Sequence, residues 1–107
     1  MEILDINELE DFFILTLDTQ FRLYSYEMRE NFKLLQILIK SYNLELEKRL
    51  VLSRKIDLIE FFLSIEKKML YFIHCFQKIN NPNVKNKIYF YIQKIRLVNR
   101  SNIIKFV

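Results

Sequence analysis

Apolar residues recur along this chain in alternating steps of four and three, the spacing that stacks side chains on one face of an α-helix. The longest run is Leu58, Phe62, Ile65, Met69, Phe72, Phe76 and Ile79. Ser53 precedes it as a candidate N-cap, because a hydroxyl can accept a bond from an otherwise unpaired backbone N–H. Asn80-Asn81-Pro82 follows it, and proline cannot extend the hydrogen-bond ladder of a helix. The spacing predicts a helix over 54–80.

A second run links Met28, Phe32, Leu35, Ile39, Tyr42 and Leu46. Leu34, Ile37 and Leu38 widen its stripe, so this helix is expected to meet neighbours on more than one side. Its start is expected near Asp18-Thr19 and its end between Asn43 and Leu52. Asn83 is the candidate cap of a third helix that carries Val84, Ile88, Tyr91, Ile95 and Val98 on one face. Ser101-Asn102 breaks that pattern, leaving a short irregular apolar tail from Ile103 to Val107.

The first 26 residues admit two readings. Asn7 or Asp5 could cap a short helix running through Leu17, with Glu8, Glu10 and Asp11 at its positive end. Alternatively, Phe12 to Leu17 and Phe21 to Tyr26 could pair as strands around Asp18-Thr19. Tight hairpin turns need positive φ, which glycine supplies, and this chain has no glycine. No repeat or linker divides residues 1–107, so one domain is expected. Short connections make successive helices antiparallel neighbours, giving an all-α bundle of three or four helices. An extended helical hairpin of coiled-coil type is the alternative, and the breadth of the apolar stripes favours the bundle.

Composition adds a constraint. Of 107 residues, 51% are hydrophobic and 15% aromatic. That is more bulk than a small bundle can hide, so part of it is expected at an interface. The same enrichment in Lys, Asn, Ile, Phe and Tyr arises when coding DNA is AT-rich. Cys75 is alone, which rules out an internal disulfide and suits a reducing compartment. The acidic start lacks the basic region of a secretory signal. No apolar run reaches the roughly 18–20 residues of a membrane span. These features point to a soluble protein of the cytoplasm or another intracellular compartment.

Charge is sorted along the chain. Residues 1–30 hold eight acids against two arginines, and residues 67–107 hold nine lysines and arginines with no acid. The acidic and basic segments could neutralise each other, or the basic end could meet an anionic partner. On the last helix Lys85, Tyr89, Arg96 and Arg100 form one stripe, and Lys87, Phe90 and Lys94 form another. These seven are the candidate partner-binding residues, since bases interleaved with aromatics suit phosphates and stacked nucleobases. A solvated charged face explains the same pattern without a ligand.

The residues of catalysis are sparse. His74 and Cys75 are adjacent, so on a helix they point about 100° apart and cannot act as a nucleophile–base pair. Zinc would need three or four ligands that the sequence does not cluster. Phosphate-cradling loops need glycine. The expectation is no enzyme, no cofactor, no metal and no small-molecule substrate. The chain is read as a protein–protein interaction module: a helical subunit, adaptor, chaperone or inhibitor, covered by a protein partner or by its own copy. The alternative is an RNA- or ribosome-associated protein using the basic segment 67–107.

Overall fold

In the computed structural model, which describes residues 2–9, 11, 21–52 and 54–106, the chain is an all-α helical bundle. Its long helices are α1 (Tyr26–Leu52), α2 (Lys55–Phe76) and α3 (Pro82–Phe106). Residues 6–9 and 11 are also helical, and Phe21–Leu23 forms a 3₁₀ turn. Among the described residues no helix is long and apolar enough to cross a membrane.

The two strong stripes form the core. Every member of Met28 to Leu46 and of Leu58 to Ile79 is buried, joined by Val84, Ile88, Ile92 and Ile95 of α3. Helix direction is legible in the ring contacts. Phe32, early in α1, stacks on Phe76, at the end of α2, with centroids 4.9 Å apart. Tyr42, late in α1, meets Phe61, early in α2, at 5.7 Å. Leu4 and Leu9 also enter the core.

The helix ends differ from expectation for identifiable reasons. Ser25 caps α1, its hydroxyl accepting from the Met28 N–H at 3.2 Å, so the helix begins later than Asp18-Thr19. Arg54 is the extended residue before α2, and the Asp57 carboxylate accepts from its N–H at 3.2 Å. Ser53 lies outside the described residues. Helix α2 stops at Phe76, four residues short of 80, although Ile79 still reaches the core. Asn81, not Asn83, caps α3, accepting from the N–H groups of Asn83 at 3.0 Å and Val84 at 3.4 Å. Pro82 is thereby the first helical residue, where its missing N–H costs nothing. Lys85 donates to the Gln77 carbonyl at 3.0 Å, satisfying one of the acceptors left at the end of α2.

The expected irregular tail is helical through Phe106. Asn99 and Asn102, in the turn of α3 just before it, are fully buried, because their amides are bonded. Asn99 accepts from the Tyr42 hydroxyl at 3.1 Å and donates to the Phe62 carbonyl at 2.7 Å. Asn102 donates to the Tyr42 oxygen at 3.2 Å and to the Glu2 carbonyl at 3.0 Å, and accepts from the Glu2 N–H at 3.1 Å. Asn43 holds Leu4 in the same two-bond fashion, at 2.9 and 3.0 Å. One polar network therefore ties all three helices to the N-terminal segment. Burial pushes the Tyr42 hydroxyl above its ordinary pKa, with the Asn102 bond opposing.

On the N-terminal alternatives, Phe21–Leu23 and the start of α1 at Tyr26 remove the second strand of the hairpin. Asp5 stands at the start of the helical residues and accepts from the Glu8 N–H at 3.5 Å. The stretch from Phe12 to Leu17 lies outside the described residues.

Candidate interaction face

Helix α3 distributes the seven candidate residues unevenly. Arg96 donates to Glu66 on α2 from Nε at 2.9 Å and Nη2 at 2.7 Å, and Arg100 joins the same carboxylate at 3.2 Å. The Arg96 and Glu66 side chains are only 15% and 20% exposed, so this cluster is part of the α2–α3 seam. Lys94 pairs with Glu8 at 2.8 Å, and Tyr91 donates to that carboxylate at 3.4 Å. The Glu8 hydrogen bond raises the Lys94 pKa. Ser101 reaches Glu2 at 3.0 Å. The acidic and basic ends thus meet within one molecule, at least in these contacts.

Tyr89 is half-buried and donates to the Ile73 carbonyl at 3.3 Å, with the Lys85 ammonium 5.9 Å from its ring centre. Lys87 and Phe90 remain exposed, Phe90 edge-on to Tyr91. Two of the seven therefore stand free on the α3 surface, and the basic–aromatic stripe is not assembled as one site.

The apolar excess collects elsewhere. Between α1 and α2 runs an open groove of about 920 Å³, floored by Leu38, Tyr42, Phe61 and Phe72. Leu34 and Ile37 stand at its mouth, 53% and 62% exposed, so the widened stripe of α1 finds no neighbour there among the described residues. Arg49 lies over the Phe61 ring at 4.8 Å while bonded to Glu45 at 2.8 Å, closing one end with a neutralised rim. Tyr71 lines the other end, where its contact with Cys75 raises the hydroxyl pKa.

The outward side of α2 carries a second exposed apolar row. Ile56, Leu63 and Leu70 recur every seven residues there and are 57%, 56% and 50% exposed. Sequence reasoning overlooked them because the stronger core stripe of the same helix hides a second period, yet the seven-residue spacing was readable. Glu60, Lys67 and Lys68 are exposed beside them, with no ion pair among the described residues.

His74 is exposed and Cys75 half-buried, lining a small cleft with Glu27 and Lys78. Among the described residues no group of three His, Cys, Asp or Glu side chains could hold a metal ion. No family model, curated protein or solved structure matches the chain.

Proposed function

We propose that this chain is a protein–protein interaction module without enzymatic activity, a helical subunit, adaptor, chaperone or inhibitor that binds through its α1–α2 face. The observation that carries the reading is the apolar groove with Leu34 and Ile37 at its mouth, accompanied by a second exposed apolar row on α2. Contiguous apolar area of this kind gains free energy when a partner removes it from water. The buried amides of Asn99 and Asn102 are bonded on both sides, so the exposed apolar side chains are not the mark of a loosely packed chain.

The nucleic-acid reading draws less support. Of the seven candidate residues, Lys94, Arg96 and Arg100 spend their charge on Glu8 and Glu66, which leaves Lys87 and Phe90 open on α3. Phosphate binding would also weaken steeply with added salt, whereas an apolar contact would not.

The test is the native mass of the chain at its natural expression level in cell extract, at low and moderate salt. The reading expects a complex heavier than one chain that survives the added salt and is lost on Ile37→Glu with Leu63→Glu. A chain that runs alone in extract overturns it.

A further inference from the structure

We infer that the outward face of α2 binds a second copy of this chain, the two α2 helices lying antiparallel across a two-fold axis at Leu63–Ser64. This rests on the reading above and names the occupant. The pattern on the face is self-complementary in one orientation only. Reflecting α2 through Leu63–Ser64 sets Ile56 against Leu70 and Tyr71 of the copy, and Glu60 against Lys67 and Lys68 of the copy. Across the axis Leu63 faces Ser64 of the copy and lies within one residue of the copy's Leu63, where the small serine permits close approach. Ile56 thus meets Tyr71 with Leu70 one residue away, and Glu60 meets Lys67 with Lys68 one residue away.

A parallel arrangement would oppose Glu60 to Glu60 and the lysines to lysines, which costs free energy. The antiparallel one is also isologous and closes at two copies, so it does not propagate into a filament. From Ile56 to Tyr71 the contact would extend about 22 Å at the rise of an α-helix. Tyr71 also lines the groove, so the copy's helix would shield that groove's edge and the apolar mouth beside it. The charged residues are free for this role, since Glu66 and Asp57 of the same helix already have arginine partners and these three do not. Exposed pairs add little affinity, so burial of the apolar positions supplies the binding and the charges choose the orientation.

Sedimentation velocity of the purified full chain from about 1 to 100 μM, a range that brackets micromolar dimerisation, tests this directly. The expected result is a shift with concentration from the 13.3 kDa monomer to twice that mass. Leu63→Glu should abolish it. Glu60→Lys alone, and Lys67→Glu with Lys68→Glu, should each weaken it by about tenfold through like-charge opposition. Combining all three reversals should restore association to within about threefold of the original chain, because only opposite charges then meet. Circular dichroism checks folding; should Leu63→Glu not fold, the charge reversals alone decide. A chain monomeric throughout, or a dimer that ignores Leu63→Glu or is not restored by the combined reversal, overturns the proposal. A chain monomeric when pure but heavier in extract overturns the second copy while leaving the interaction module standing. Monomer in both sinks both.

Discussion

Arg96 closes on Glu66 side-on, with Nε and Nη2 both donating to Oε1 at 2.9 and 2.7 Å, while the second carboxylate oxygen is buried without a hydrogen-bond partner among the described residues. The hydrogen bond from Arg96 is the main cause that holds the Glu66 pKa below its ordinary value, helped by the charges of Arg96 and Arg100 and opposed by partial burial. A depressed folded-state pKa means the stabilisation is complete above the unfolded pKa and fades as pH falls through the folded one. Glu66→Gln should therefore cost about 1–3 kcal/mol at neutral pH, the range for losing a charge-assisted bond. The difference between the two proteins should shrink as pH drops below about 4, the unfolded carboxylate range. Urea unfolding at neutral and acidic pH checks it. A gap that is constant with pH would mean the carboxylate charge plays no part.

Tyr42→Phe removes the hydroxyl shared by Asn99 and Asn102 and keeps the ring. Two buried amides would then each lose a partner, which is expected to destabilise the fold by about 1–3 kcal/mol. Amide exchange should quicken at Glu2, because Asn102 would lose one of its two anchors, while Leu4, held by Asn43, should change less. Unchanged stability would show that the network is satisfied some other way.

Capping at Asn81 gives a third test. Asn81→Ala should lower stability by about 1 kcal/mol, the usual worth of an N-cap, while Asn83→Ala should be near neutral. The reverse ranking would place the start of α3 two residues later.

At the groove, Leu34→Gln with Ile37→Gln should leave stability within about 0.5 kcal/mol, as for exposed positions outside any buried network. Binding of a hydrophobic fluorescent dye should fall in that variant. Equal dye emission would mean the groove is closed in solution.

The buried stripes of α1 and α2 were legible in the sequence because each apolar step has its own period, from Met28 to Leu46 and from Leu58 to Ile79. What misled was polarity read without its partners. Ser101-Asn102 looks like a helix stop, yet Asn102 continues the buried face because Tyr42 and Glu2, sixty and one hundred residues away, satisfy its amide. The pairing of Glu66 with Arg96 likewise joins positions that no local spacing relates. Asparagines flank Pro82 on both sides, and only the backbone shows which one caps. At the candidate face, composition announced an excess of apolar bulk but not which side chains would be left exposed. The basic stripe of α3 stands out in the sequence, whereas the exposed heptad of α2 is quieter because the core stripe of the same helix overlies its period.

The clamp of Asn102 on Glu2 sets an order of events during synthesis. Closing a loop of this length carries a large entropy cost, so the contact depends on the helices already being packed. A ribosome must also emit residue 102 before residue 2 has anything to grip. Asn43 can take hold of Leu4 once α1 has been made, but the Glu2 end of the segment, made first, is fastened last.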